Sequence, residues 1–264
     1  MQNNLIHSGI RIAAIARNAF REAVRDRILY NLILFVLLIT ASALFLGELS
    51  AGQEARVIVN LGLSSTLIFG SFIAIFVGVS LVWKEIEKRT VYSIFAKPVS
   101  RTEFIIGKYM GLCLTLLVNI AIMGAGITAA LIYVDGTKFI TGVWAAILLI
   151  YLELTILTAV ATLFSSFSTP ALSALLTFFV FLIGHFSESL RVVAQSINSR
   201  SGQVVFEAIY YLLPNLSHFS FITEAANEMV PPAAMLGGAI LYALVYDLIV
   251  LAITVVIFTR RDFK

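Results

Sequence analysis

Charged side chains are scarce in this chain. Asp, Glu, Lys and Arg make up 12% of its 264 residues, about half of the roughly 25% that is usual in soluble domains. Hydrophobic residues make up 60%, and the mean hydropathy is +0.98. This balance excludes a soluble enzyme, a disordered regulator and a fibrous protein. The long apolar runs that replace the missing charge indicate an integral membrane protein.

Several chemical motifs are also missing. The single cysteine, Cys113, excludes an intramolecular disulfide and a cysteine-based metal cluster. No G-x-x-x-x-G-K-[ST] phosphate-binding loop is present, because the Gly-Lys-Tyr at 107–109 lacks both the upstream glycine and the Ser or Thr. His185 and His218 have no second metal ligand at helical spacing. We therefore expect a protein without catalytic activity, metal or cofactor that does not bind ATP through such a loop.

Six apolar runs are long enough to be read as membrane spans. A helical span needs about 20 mainly apolar residues, and a turn with Ser or Thr as the N-cap and Pro170 as the first helical residue separates the fourth run from the fifth. We predict an all-α, polytopic membrane protein that forms one membrane domain over residues 1–264. The predicted spans are residues 28–47, 61–82, 109–133, 143–164, 171–186 and 236–258.

The basic residues are distributed unevenly between the two sides of these spans. Of the 18 Lys and Arg residues, 14 lie in the first 27 residues, in the loop between spans two and three, or in the tail. Basic residues are retained in the cytoplasm. We therefore predict a multi-pass protein of the inner (plasma) membrane with both termini cytoplasmic. The four basic residues on the other side are Arg56, Lys138, Arg191 and Arg200.

The N-terminal segment, residues 1–27, is predicted to be an interfacial helix. One helical face of residues 9–27 is apolar, and the arginines lie away from it, as in helices that lie along a membrane surface. A simple membrane anchor and a mechanical elbow that contacts a cytoplasmic partner both fit this pattern. The predicted apolar face consists of Ile10, Ala13, Ala16, Phe20, Ala23 and Val24.

A longer segment outside the spans, residues 187–235, follows the first five spans, which occupy residues 28–186. Its apolar stretch 204–213 is about half the length needed to cross a membrane and is stopped by Pro214. We predict a re-entrant or interfacial segment on the outer side, which could be an outer gate or a lid over the span ends. Span six and the cytoplasmic tail complete the chain at 236–264.

The loop 84–101 combines dense charge with Val91, Ile94 and Phe95 at helical spacing. We predict a short cytoplasmic helix that Pro98 ends, followed by a helix that Thr102 caps, with Glu103 in its first turn. An apolar face with charged edges can seat in a groove of another protein. The same face can also pack against the protein's own spans, and the pattern alone does not separate these two readings.

This loop also carries a recognisable pattern: E-x-E-x-x-T, a short apolar helix, P-x-x-R, and then G-K before a span. The pattern resembles the ABC-2 type permeases, in particular the membrane subunit of the nitrous oxide reductase maturation transporter and gliding-motility-type relatives. Arg89 is a departure, because family members often have a small residue or glycine there. The matching residues are Glu85, Glu87, Thr90, Pro98, Arg101, Gly107 and Lys108.

The resemblance implies a function and a set of partners. The loop would be the coupling helix that docks on a separate cytoplasmic ATP-binding subunit, which would hydrolyse ATP, and the chain would be a non-catalytic export permease. A second permease subunit, identical or different, and membrane lipid are the other implied partners, and nucleic acid is not one. The coupling residues would be Glu85, Glu87, Arg89, Thr90, Val91, Ile94, Phe95, Pro98 and Arg101.

Two acidic residues, Glu153 and Asp247, fall inside predicted spans. Ionisable groups at this depth usually face a bundle interior or a cavity. They are candidates for a translocation path or a gating contact, although a hydrogen bond to a neighbouring helix would also explain them. They suggest an alternative function, an ATP-independent ion-coupled carrier, and an assembly scaffold is a further alternative. The apolar spans favour a lipid-like or amphipathic cargo, and mechanical or signalling work on a partner fits equally well.

Overall fold

The computed structural model describes residues 2–23, 34–35, 38–39, 42, 45, 52–87, 100–196 and 200–260. Within these residues the chain is helical, with no β-strand. Two 3₁₀ helices, Thr137–Phe139 and Leu216–Phe219, join the α-helices. The α-helices are α1 (Gln2–Ala23), α2 (Glu54–Glu87), α3 (Arg101–Tyr133), α4 (Ile140–Ser165), α5 (Pro170–His185), α6 (Ser187–Ser196), α7 (Arg200–Leu212), α8 (Ile222–Ala225) and α9 (Ala233–Arg260).

Four stretches of the described residues are long and apolar enough to cross a membrane, and α5 is a shorter apolar helix. The all-α, polytopic architecture is thereby confirmed. The predicted first span, 28–47, lies largely outside the described residues, so the count of six spans stays a prediction. The four stretches are Glu54–Ser80, Arg101–Tyr133, Thr137–Ser165 and Ala233–Arg260.

Helix α4 lies at the centre of the bundle, in contact with α2, α3, α5 and α9. Glycines on its neighbours allow a close approach, because a Cβ on Gly70 of α2 would meet Leu154 and one on Gly124 of α3 would meet Ile147. Small residues commonly allow such close helix contacts in membranes. The large side chains of α4 therefore fill the hydrophobic core of the bundle.

The bundle has two distinct ends. We call "basic end" the end where α1, residues 100–108 and residues 258–260 meet, and "far end" the end that carries residues 187–235 and the start of α9. Helices α2 and α4 run towards the basic end and α3 runs away from it, since Gly62 of α2 approaches Ile127, whereas Gly78 approaches Ala161. The basic end thus brings together segments from the beginning, middle and end of the chain.

The turn before α5 and the segment 187–235 agree in outline with the predictions from the sequence. Thr169 is the N-cap of α5 in an extended conformation and Pro170 is its first residue, as the sequence pattern predicts. In the segment 187–235, the predicted apolar stretch forms α7, which begins at Arg200, and α6 precedes it and packs against it. The far end is therefore covered by short helices.

Candidate coupling site

The predicted coupling residues fall on and around a gap in the described chain. The backbone at Glu85 and Glu87 forms the last turn of α2, and Arg101 is the first residue of α3. The segment between these helices thus connects two long helices directly at the basic end. Arg89, Thr90, Val91, Ile94, Phe95 and Pro98 lie outside the described residues.

The first turn of α3 is closed by a capping box between Ser100 and Glu103. The Ser100 hydroxyl accepts a hydrogen bond from the Glu103 N–H at 3.1 Å, and the Ser100 N–H donates to Glu103 Oε2 at 2.9 Å. The prediction that Thr102 caps this helix is wrong, since Thr102 is an exposed residue inside the first turn. Ser-x-x-Glu satisfies two otherwise unpaired N–H groups at once, which a cap at Thr102 would not do.

We expect Ser100→Ala to destabilise the protein by about 1 kcal/mol, because the N-cap oxygen is lost. Thermal unfolding of the purified protein in detergent measures the effect. Thr102→Ala is the matched control and should leave the midpoint unchanged. Equal shifts for the two variants would contradict the assignment of the cap.

Glu103 also joins α3 to α1. Its carboxylate accepts hydrogen bonds from the Ser8 hydroxyl at 2.5 Å and from Arg11, whose Nη2 donates at 2.7 Å and whose Nε donates at 3.1 Å. Only 6% of Glu103 is exposed. The hydrogen bond to Glu103 raises the pKa of the Arg11 guanidinium. A forked arginine–carboxylate pair of this kind fixes orientation as well as distance, so it positions α1 against the start of α3.

A second ion pair joins the same two helices one turn and a half further along. Lys108 Nζ lies 3.2 Å from Glu22 Oε2 and 5.9 Å from the centre of the Phe104 ring. Only 3% of Lys108 is exposed, and buried charges need partners of this kind. Both charged side chains that α3 buries in its first two turns are therefore paired with α1.

Two glycines of α3 determine which face of α1 packs against it. A Cβ on Gly107 would lie 2.7 Å from Ile15 Cβ, and one on Gly111 would lie 2.6 Å from the Ala16 carbonyl oxygen. Only part of the predicted apolar face is packed: Ala23 is 1% exposed, whereas Ile10 is 61% exposed. The glycines lack side chains, which allows α1 to approach α3 closely.

Arg101 contacts the other terminal helix, α9. Its Nη1 donates hydrogen bonds to the carbonyl oxygens of Phe258 at 3.0 Å and Thr259 at 2.9 Å. These carbonyls are in the last turn of α9, where they lack a partner within the helix. The Phe104 ring stacks on the Phe258 ring at 6.0 Å. We call the side chains of Ser8, Arg11, Glu22, Arg101, Glu103 and Lys108, with the two carbonyls of α9, the basic-end clamp.

The two acids inside the spans lie in separate places. Asp247 of α9 accepts a hydrogen bond from the Tyr109 hydroxyl of α3 at 2.8 Å, and its other oxygen, Oδ1, has no hydrogen-bond partner in the described part of the chain. Glu153 of α4 is 1% exposed, and its Oε1 lies 3.4 Å from His185 Nε2 of α5. No local pattern joins the two residues, so the sequence did not predict this contact.

We expect Tyr109→Phe to destabilise the protein by about 1–3 kcal/mol, because the buried Asp247 carboxyl then loses its hydrogen-bond donor. Tyr133→Phe, which removes an exposed hydroxyl at the other end of the same helix, is the control. Thermal unfolding of both variants in one detergent gives the comparison. An unchanged midpoint for Tyr109→Phe would show that the hydrogen bond does not contribute to stability.

The described residues contain no group of three or more His, Cys, Asp or Glu side chains that could hold a metal ion.

The model of a family described as ABC-2 family transporter protein matches residues 13–263. This match covers nearly the whole chain and includes Glu22, Arg101, Glu103 and Lys108 of the basic-end clamp. No curated protein matches the chain.

Proposed function

Since the chain belongs to the ABC-2 family of transporter proteins, we propose that it is the permease subunit of an ATP-driven exporter. A separate cytoplasmic ATP-binding subunit docks on the loop 84–101 and hydrolyses the ATP. The lack of a phosphate-binding loop in this sequence supports the separation of these two roles. The excess of basic residues at the basic end supports a cytoplasmic position for that end and for both termini.

The basic-end clamp is the observation that carries this proposal. The helix that leaves the loop starts at Arg101, and within three residues it is bound to α9 through Arg101 and to α1 through Glu103. A force applied to the loop by a partner therefore reaches three helices at once. A loop without such contacts would move its own two helices first.

The pathway for the cargo would lie between two permease subunits, identical or different, whose bundles respond together to the paired ATP-binding subunits. The chain itself catalyses no covalent chemistry in this proposal. Glu153 and Asp247 act as structural or gating contacts within one bundle. The neighbours His185 and Tyr109 support this role, because each acid already has a polar partner on an adjacent helix.

The ion-coupled carrier makes a different prediction for these acids. It requires that Glu153 or Asp247 exchange an ion during each cycle and that transport follow an ion gradient. Substitutions in the loop 84–101 should then be tolerated. An ATP-driven permease shows the opposite behaviour, with dependence on the loop and on ATP.

The test is purification of the tagged full-length chain from native membranes in a mild detergent. We expect an ATP-binding protein with a phosphate-binding loop to co-purify and to hydrolyse ATP, and we expect Phe95→Asp to remove both. Phe167→Asp is the matched control, because Phe167 is an exposed phenylalanine in the turn between α4 and α5 at the basic end. A stable permease without any ATPase would contradict the proposal.

A further inference from the structure

A groove runs along α9 at the far end, between this helix and the residues that follow α7. It has a volume of about 550 Å³ and is lined by Asn215, His218, Gly238, Tyr242, Val245 and Ile249, among other residues. A second cavity of about 470 Å³ shares His218, Gly238 and Tyr242 with it. The shared residues indicate one continuous concave surface.

The groove is polar at one end and apolar at the other. At the polar end, Asn215 Nδ2 lies 3.2 Å from His218 Nε2, and the Tyr242 hydroxyl oxygen accepts a hydrogen bond from the Asn215 N–H at 2.9 Å. The Tyr242 hydroxyl proton has no acceptor in the described part of the chain and is available to a ligand. Towards the other end, Val245 and Ile249 contribute hydrocarbon, and Tyr246 between them contributes a phenol ring.

The length of the groove matches the depth of one membrane leaflet. Gly238 and Ile249 are eleven positions apart on α9, which corresponds to about 16 Å along a helix. Half of a hydrocarbon core of about 30 Å is about 15 Å. A molecule that fills the groove would therefore have its polar part at the membrane surface and its apolar part reaching the midplane.

The groove also adjoins the lipid-facing surface of α9. Leu241 and Leu248 on this helix are 65% and 68% exposed, so lipid covers them when a single bundle lies in a membrane. A Cβ added at Gly238 would meet no atom within 4 Å, which leaves the groove open at its polar end. Neither cavity is lined by an Asp or Glu side chain, so an anionic headgroup would meet no opposing carboxylate there.

We infer that this groove binds one phospholipid from the leaflet at the far end. Tyr242 and His218 hydrogen-bond the phosphate of the headgroup, and one acyl chain lies along Val245 and Ile249. The site belongs to a single bundle, so it does not depend on the ATP-binding partner or on the direction of transport. A lipid held there would cover the gap between α9 and the short helices of the far end.

The test uses the full-length chain reconstituted without partners in vesicles of phosphatidylethanolamine and phosphatidylglycerol. A small fraction of the phosphatidylglycerol carries a photoactivatable diazirine on one acyl chain, and labelled peptides are identified by mass spectrometry. We expect strong labelling of the peptide that contains residues 238–249. Labelling distributed evenly over all lipid-facing helices would overturn the inference, because it would indicate ordinary surrounding lipid.

The variants Gly238→Leu and Gly237→Leu form a matched pair. Both glycines have open space at the Cβ position, but only Gly238 lines the groove. We expect Gly238→Leu to reduce the labelling of 238–249 about tenfold, because the new side chain excludes at least two methylene groups of the lipid. Gly237→Leu should label like the unmodified protein, and thermal unfolding of both variants checks that they fold.

Two results would overturn the inference in different ways. Equal labelling of the two variants would show that the lipid does not enter the groove. Native mass spectrometry could instead show a dimer that Gly238→Leu disrupts. If 238–249 is also not labelled, these results would assign the groove to a second copy of the chain.

Discussion

Replacing Gly111 with alanine should destabilise the protein by about 1–3 kcal/mol, the usual range for an added methyl group in a packed contact. The new Cβ would lie 2.6 Å from both the Ala16 carbonyl oxygen and Ala19 Cβ. A backbone carbonyl cannot rotate away as a flexible side chain can. Helix α1 would have to move away from α3, which would also strain the contacts of Arg11 and Lys108.

The control for this substitution is Gly237→Ala. Gly237 is also a helical glycine, but a Cβ there meets nothing within 4 Å. Alanine is usually more stable than glycine in a helix by about 0.5–1 kcal/mol, so this variant should unfold at the same or a higher temperature. Two shifts of the same sign and size would contradict the close approach of α1 and α3.

Arg101→Ala should uncouple the permease from ATP while the ATP-binding subunit stays bound. The variant loses two charge-assisted hydrogen bonds to the end of α9, and each bond of this type contributes about 1.5–3 kcal/mol. We expect the population of the position that α9 adopts with ATP to fall at least about tenfold. This change corresponds to about 1.4 kcal/mol. Arg101→Lys should rescue it only partly, because lysine lacks the planar fork of arginine.

Spin labels at Phe167 and Arg260 measure this movement in the purified complex. Both residues are exposed at the basic end, Phe167 in the turn between α4 and α5 and Arg260 at the end of α9. Arg56→Ala is the matched control, since Arg56 Nε donates to the Ala226 carbonyl oxygen at 3.2 Å, a similar contact at the far end. If Arg101→Ala and Arg56→Ala leave the ATP-dependent distance change equally intact, the clamp does not transmit the movement.

The membrane architecture was readable from the sequence because a hydrophobic run is a local property. The runs at 143–164 and 236–258 correspond to α4 and α9, and Pro170 marks the start of α5 as expected. Helix ends were less readable. Ser100 and Thr102 are both good N-caps, and only the simultaneous hydrogen bonds with Glu103 identify Ser100 as the one used.

Contacts between distant positions could not be read from one sequence. The Tyr109–Asp247 hydrogen bond joins residues 138 positions apart, and the contact of Glu153 with His185 depends on how α4 and α5 cross. The sequence did not predict which residues of α1 pack against α3, for the same reason. The glycines at 107 and 111 that select them belong to another helix.

We propose that the apolar face of the loop 84–101 contacts an ATP-binding partner. The alternative, that this face packs against the protein's own spans, predicts a different neighbour for the same side chains. A photo-crosslinking amino acid at Ile94 in the full-length chain, activated in native membranes, identifies that neighbour directly. The same amino acid at Phe167 is the control for chance encounters at the basic end.

We predict a crosslink from position 94 to an ATPase with a phosphate-binding loop, and none from position 167. Phe95→Asp in the same chain should abolish the crosslink from position 94. A crosslink from position 94 only to the permease's own helices, in membranes where the ATPase is present, would show that the loop does not dock on the ATPase.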